Sequence, residues 1–278
     1  MEGLPIASYS LEDLLPDSIL STPAVSIRTS DPVTGVASLL PHHLETFTDS
    51  LVVTEDDKPV GIIGGIEILD GVLKNPTPEF FEKTTVGQIM NTDKLLVTTA
   101  KTQLSQLLKK WGQTRRAFAI IQNKYHGYSA ISARKLLEIG TSCKTDMTIS
   151  SVPKKVIITF KREDSMKQII GSMFENNTRK LILEGTPLFI SDRIIIQKIA
   201  RELDCLHKGN NFLDMKADMF KLDEAKKISE KMKIDEASKI MYGMQSPYLI
   251  VNGQVITPWD IAMALSSDRL TDYNWQKR

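Results

Sequence analysis

The chain has 278 residues, 41% of them hydrophobic and 25% charged, and its 35 Lys and Arg against 34 Asp and Glu leave a formal net charge of +1. This length suits about two domains or one large one, the composition excludes a disordered chain, and the charge balance speaks against a protein whose main task is gripping nucleic acid. No apolar run of about 18 or more residues marks a membrane span. The acidic N-terminal stretch lacks the basic and apolar regions of a signal peptide. Two cysteines without a CxxC pair, Cys143 and Cys205, exclude a disulfide framework and point to a cytoplasmic setting.

In chain order the sequence predicts four segments with one arrangement: an apolar strand, an amphipathic helix, two strands joined by a turn, and a Ser, Thr or Gly that opens a second helix. The first is the loosest. It has a strand at Ala24-Val-Ser-Ile, a helix around residues 33–40, a strand at Leu51-Val-Val, the acidic turn Glu55-Asp-Asp-Lys, a strand at Val60-Gly-Ile-Ile, and Gly64-Gly-Ile-Glu at the helix start. In the second, Val86-Gly-Gln-Ile-Met leads to a strand at Leu95-Leu-Val-Thr, and Leu104, Leu107, Leu108 and Trp111 line one helical face. Phe118-Ala-Ile-Ile and the stretch from Tyr128 to Ile131 are hairpin partners, and Ser132-Ala-Arg-Lys opens the helix holding Leu136 and Leu137. The third has a strand at Val156-Ile-Ile-Thr, a helix with Met166, Ile169, Ile170 and Met173, strands at Lys180-Leu-Ile-Leu and Leu188-Phe-Ile, then Ser191-Asp-Arg-Ile.

The fourth segment is the clearest. The stretch from Leu222 to Ser229 leads in, and Ile234, Ala237, Ile240 and Met241 fall on one helical face. Tyr248-Leu-Ile-Val and Gln254-Val-Ile flank Asn252-Gly253, the strongest short hairpin signal. Thr257-Pro-Trp-Asp then opens a helix carrying Ile261 and Leu265.

The helix openings at 64, 132, 191 and 257 are 68, 59 and 66 residues apart, a period too long for the common helical solenoids. One unit of three short strands and two helices buries little apolar surface alone, so units are expected to pair. A cut near residue 145, in Thr141-Ser-Cys-Lys-Thr, gives the halves 1–145 and 146–278, with units at about 14–72, 85–140, 146–206 and 212–268. The first half carries a net charge of −2 and the second +3.

This order of elements, with the lead-in Val86-Gly-Gln-Ile-Met and the ending Val255-Ile-Thr-Pro-Trp-Asp-Ile, resembles the CBS domain, the cystathionine β-synthase-type regulatory module. The resemblance covers nearly the whole chain, from about Leu14 to Leu265. It implies an α/β fold of four βαββα-type CBS units arranged as two tandem pairs, called Bateman modules. It also implies an adenosine-containing regulatory ligand (AMP, ADP, ATP or S-adenosylmethionine) in a cleft between units, and no catalytic cofactor. The partners to expect are a small-molecule nucleotide, an unidentified protein and a second copy in a homodimer, with no nucleic acid and no membrane.

Thr257 stands where a strand gives way to a helix, whose first N–H groups can meet a phosphate. Asp260, in the first turn, can accept two hydrogen bonds from a ribose diol, as acidic residues do in dinucleotide folds. The same residues also make a ligand-free helix start, with Thr257 as N-cap, Pro258 at the first position and the acid at the third, an arrangement worth about 1 kcal/mol. Trp259 suits stacking on a base, although a tryptophan between helix-start residues is more often there for packing. By resemblance Pro247, Tyr248, Ile228 and Ser229 line the adenine pocket, and Ile256 sits at the end of the strand feeding the site. Met232, Met241 and Met244 read as gap fillers.

The other units depart from this pattern. In the second, Lys135 stands at the ribose position after Ser132, and with Arg134, Arg115 and Arg116 it suits either the phosphates of a neighbouring ligand or a solvated basic face. In the third, Ile194 replaces the acid, leaving Ser191 and Arg193 as phosphate candidates. In the first, Glu67 holds the acid position, but Gly64 replaces the hydroxyl residue.

The catalytic inventory is thin. His42 and His43 are adjacent and point apart on a helix, His126 and His207 stand alone, and there is no HExxH or Cys/His cluster, so no metal site is expected. There is no G-x-S-x-G elbow or P-loop, and Gly61-Ile-Ile-Gly-Gly reads as a strand meeting a turn. The expected function is a non-enzymatic ligand sensor whose length is taken up by the four units. Two other classes stay open. One is a scaffold or assembly protein with vestigial nucleotide clefts, since three of the four Asp positions are altered. The other is a nucleic-acid-associated regulator using Lys226, Lys227, Lys231 and Lys233, although these lysines alternate with acids as on a solvated face.

Overall fold

The computed structural model describes residues 4–42, 50–125, 127–201 and 211–273. His43, His126, Cys205 and His207 lie outside the described residues.

Each repeat forms the expected elements. The first has β1 (Ser26–Arg28), α1 (Val33–His42), β2 (Ser50–Glu55), β3 (Lys58–Gly64) and α2 (Gly65–Lys74). The second has β4 (Val97–Thr98), α3 (Leu104–Thr114), β5 (Phe118–Gln122), β6 (Tyr128–Ser132) and α4 (Ala133–Ser142). The third has β7 (Thr159–Phe160), α5 (Met166–Glu175), β8 (Lys180–Leu183), β9 (Leu188–Ser191) and α6 (Asp192–Arg201). The fourth has β10 (Lys226–Lys227), α7 (Ile234–Tyr242), β11 (Leu249–Val251), β12 (Gln254–Ile256) and α8 (Pro258–Ala264). In every repeat the first strand pairs parallel with the second, and the second antiparallel with the third.

Local chemistry explains these elements. Leu104, Leu107, Leu108 and Trp111 of α3 are buried together, as are Met166, Ile169, Ile170 and Met173 of α5, because i, i+3, i+4 spacing collects apolar groups on one face. The hairpin between β11 and β12 turns at Asn252 (φ 48°) and Gly253 (φ 71°), both left-handed, as a tight two-residue turn between twisted strands requires.

The chain forms two compact units. One gathers Met1–Ala24, Lys94–Val156 and Lys226–Arg278, and the other gathers Val25–Asp93 and Ile157–Ala225. The compact units are therefore not the sequential halves 1–145 and 146–278: the second repeat joins the fourth, and the first joins the third. Helix packing is the cause. In one unit α4 lies against α7 and α8, and in the other α6 lies against α1 and α2. Each unit has its own apolar core, and each core draws side chains from both of its repeats.

The segment ahead of each repeat pairs within the compact unit that does not hold that repeat. Ala24, ahead of the first repeat, donates its N–H to Tyr128 O of the second at 2.7 Å. Asn91, ahead of the second, exchanges backbone hydrogen bonds of 2.8 and 2.9 Å with Ile62 of the first. Lys155–Val156, ahead of the third, pairs antiparallel with β12 of the fourth, and Asp223–Glu224, ahead of the fourth, pairs antiparallel with β9 of the third. The strand expected at 156–159 is thus split, with Val156 in one sheet and Thr159 in another. Each exchanged strand satisfies edge backbone groups that would otherwise stand open.

The N-terminal residues also differ from expectation. Residues 14–24, assigned from sequence to the first unit of the repeat, belong with the second and fourth repeats. Ile6 N–H donates to Leu270 O at 2.7 Å, and Tyr273 Oη donates to Leu14 O at 2.7 Å. Among the described residues, no helix is long and apolar enough to cross a membrane.

Candidate functional site

The fourth repeat carries the most complete site. Thr257 has the extended backbone of an N-cap (φ −117°, ψ 167°), and α8 begins at Pro258. Asp260 reaches back, and its Oδ2 accepts both the Thr257 backbone N–H at 2.8 Å and the Thr257 Oγ1 hydroxyl at 2.6 Å. The helix-start reading is therefore realised, with the Thr257 amide engaged by the carboxylate. The other carboxylate oxygen, Oδ1, lies 3.1 Å from Lys155 Nζ. The Asp260 side chain is only 5% exposed, whereas that of Lys155 is 55% exposed. The lead-in strand beside β12 places Lys155 there.

Tyr248 is buried just ahead of β11, and its hydroxyl is held well above the usual tyrosine range, first by burial and then by the negative charge of Asp260. Pro247 and Ile256 are buried, Ile228 and Pro258 are half-buried, and Ser229 is exposed, its Oγ accepting the Lys231 N–H at 3.2 Å. Trp259 and Ile228 both pack against the unit's core, so packing takes up part of each surface.

The first repeat repeats the cap: Glu67 Oε2 accepts the Gly64 N–H at 2.8 Å. In the second and third, where no acid stands at that place, the serine reaches forward instead. Ser132 Oγ accepts the Lys135 N–H at 3.4 Å, and Ser191 Oγ accepts the Ile194 N–H at 3.3 Å. In the second repeat the basic candidates Arg134 and Lys135 are engaged by backbone carbonyls. Arg134 is 4% exposed and donates from Nη2 to Met244 O at 2.6 Å, tying the second repeat to the loop after α7. Lys135 Nζ donates to Ala130 O at 2.7 Å. Arg193 is half-buried, and its backbone N–H donates to Asp192 Oδ1 at 2.9 Å.

Two functional-looking residues escaped the sequence analysis. Arg179 donates to Asp192 Oδ2 through Nε at 2.7 Å and Nη2 at 2.6 Å, closing off the helix start of the third repeat. Lys155 is the other. Neither carries a local signal, because each meets a carboxylate contributed by a distant strand or helix.

The remaining candidates are quiet. Cys143 is buried, its Sγ donates to Ile139 O at 3.3 Å, and burial foremost, with the charges of Asp235 and Asp272, pushes the thiol up to about 12, so it is a poor nucleophile. Lys226, Lys227, Lys231 and Lys233 are exposed. A cleft of about 280 Å³ is lined by residues that include Leu15, Leu20, Ala100 and Ile121 and the ion pair of Asp17 and Lys124. No group of three or more metal-ligating side chains is assembled among the described residues.

No family model matches the sequence, and no curated protein matches it significantly. Solved structures match the fold. A protein of Methanocaldococcus jannaschii, described as a candidate archaeal homologue of γ-AMPK, superposes with a TM-score of 0.71 at 17% identity, covering 89% of this chain and 98% of its own. An uncharacterised conserved protein of Pyrococcus horikoshii gives a TM-score of 0.53 at 12% identity, covering 90% and 98%. A CBS-domain-containing protein of Agrobacterium tumefaciens gives 0.40 at 16% identity over 48% of this chain and 93% of its own. Four βαββα units in series, matched along nearly the whole chain by the first two structures, make this the tandem CBS fold, with two pairs of CBS units in one chain.

Proposed function

We propose that the chain is a non-catalytic regulatory protein that senses an adenosine-containing ligand (AMP, ADP, ATP or S-adenosylmethionine) at its fourth repeat. The observation that carries this reading is Asp260. Its carboxylate is buried, one oxygen is saturated by Thr257, and the other is met by a half-exposed lysine that can leave. That second oxygen is where a ribose diol would donate. A bound ligand would shift the protein between arrangements only to the extent that it prefers one over another. The output would be altered binding of a protein partner or of a second copy, in the cytoplasm.

Calorimetric titration of the full chain with the four ligands tests this. Asp260→Ala is expected to weaken binding by about tenfold or more with the circular dichroism spectrum unchanged, and equal affinity in variant and wild type would remove the site. A second reading, a scaffold with vestigial clefts, is favoured by one observation: the polar groups of the second and third helix starts are turned inward, Arg134 onto Met244 O and Arg179 onto Asp192. A thermal-shift screen separates the two. A ligand at 100 times its Kd adds about 2.7 kcal/mol, and a flat response to all four ligands selects the scaffold.

A further inference from the structure

We infer that Lys155 makes the Asp260 site selective for adenosine ligands bearing a 5′-phosphate over uncharged or cationic ones; this rests on the proposed ligand site. The Asp260 carboxylate is almost fully buried, and a buried carboxylate needs a cation or several donors. Two donors come from Thr257 to Oδ2, and the ammonium of Lys155 faces Oδ1 at 3.1 Å. A ribose diol approaching Oδ1 must take that place. Its hydroxyls can replace the hydrogen bond, but they carry no positive charge to replace the ion pair.

The fate of the displaced ammonium decides which ligand is favoured. Lys155 is held by its backbone in the strand beside β12, while its side chain is more than half exposed on a flexible four-carbon stem. The ammonium therefore moves aside but stays next to the ribose. A phosphate on the 5′ carbon of that ribose gives it a new anionic partner. Adenosine offers none, and S-adenosylmethionine brings a sulfonium cation close to it. Lysine thus exchanges an internal carboxylate for the ligand's phosphate, and only phosphorylated ligands complete the exchange. The amide of Thr257, already engaged by Asp260, has no part in this.

The experiment is calorimetric titration of the full chain with AMP, adenosine and S-adenosylmethionine, using wild type, Lys155→Met, Lys155→Arg and Asp260→Ala. Wild type is expected to bind AMP about tenfold or more tighter than adenosine, with the preference shrinking as salt is raised. Lys155→Met is expected to bring the AMP-to-adenosine ratio close to one, weakening AMP and tightening adenosine because the competitor for Oδ1 is gone. Lys155→Arg should keep the preference. An unchanged ratio in Lys155→Met, or equal affinities in wild type, overturns the inference while leaving an Asp260-dependent site intact. Failure of all three ligands to bind wild type, or binding indifferent to Asp260→Ala, overturns the site and the inference together.

Discussion

Gly65, at the start of α2, lies directly under the carboxylate of Asp192, at the start of α6: a Cβ on residue 65 would run into Asp192 Oδ2. The missing side chain lets the helix starts of the first and third repeats meet. Gly140 of α4 stands in the same relation to Ser238 of α7 in the other unit. Both glycines therefore serve the packing of alternate repeats.

Gly65→Ala and Gly140→Ala should each lower stability by about 1–3 kcal/mol, the usual cost of overpacking. Gly171, inside α5 with nothing among the described residues within 4 Å of an added Cβ, should behave in the opposite way, with Gly171→Ala gaining up to about 1 kcal/mol. Urea denaturation of the three variants measures this. Wild-type stability in Gly65→Ala would mean that α6 can retreat without loss.

Removing Arg179 leaves the Asp192 charge buried with a backbone donor, the Arg193 N–H, as its remaining hydrogen-bond partner among the described residues. The Asp192 side chain is 3% exposed and that of Arg179 34%, so Arg179→Met should cost about 2–3 kcal/mol, below the loss for a fully buried pair. Adding Asp192→Asn should recover part of that loss. A double-mutant cycle in urea with no coupling would show that the pair is solvated in effect.

Stability should fall at alkaline pH. The Cys143 thiol moves from 9.0 to about 12 and the Tyr242 hydroxyl, which is half-buried and donates to Glu138, from 10.0 to about 12. Above the lower values the unfolded chain has released these protons while the folded chain still holds them. Unfolding thus becomes easier as pH rises from about 9, and the loss runs on past the range of these two groups because the Tyr248 hydroxyl is raised further still, with a limiting slope of about 1.4 kcal/mol per pH unit for each group. Urea midpoints between pH 8 and 11 follow this, and Cys143→Ala should remove the part of the decline between 9 and 10.

The helix caps should be separable by substitution. Glu67→Ala should cost about 1 kcal/mol through the Gly64 N–H left without its acceptor, while Glu67→Gln keeps an acceptor and should cost about half of that or less. Ser132→Ala and Ser191→Ala should each cost about 0.5–1 kcal/mol, at the low end because their bonds of 3.4 and 3.3 Å are long. Thermal melts in matched buffers give the comparison, and a neutral Ser132→Ala would assign that cap no share of stability.

Much of this was legible in the sequence because the interactions are local. The buried face of α3 is the spacing of Leu104, Leu107, Leu108 and Trp111, and the β11–β12 turn is the dipeptide Asn252-Gly253. The kind of cap at each repeat follows from whether an acid stands three residues after the helix opening, as Glu67 and Asp260 do and as Lys135 and Ile194 do not. The strand ahead of the third repeat was misplaced, because two residues such as Lys155 and Val156 carry too little periodicity to say which sheet they enter.

The sequence by itself determined the four-fold repeat, the βαββα order within it and the chemistry of each helix start, since all of these are set by residues within a turn or two of one another. Only the tertiary structure decided that the first repeat packs on the third and the second on the fourth, that Lys155–Val156 pairs beside β12, that Arg134 and Arg179 turn inward, and that Lys155 meets Asp260. Those contacts join residues far apart in the chain, and their outcome depends on which buried faces and charges the folded path brings within reach of each other.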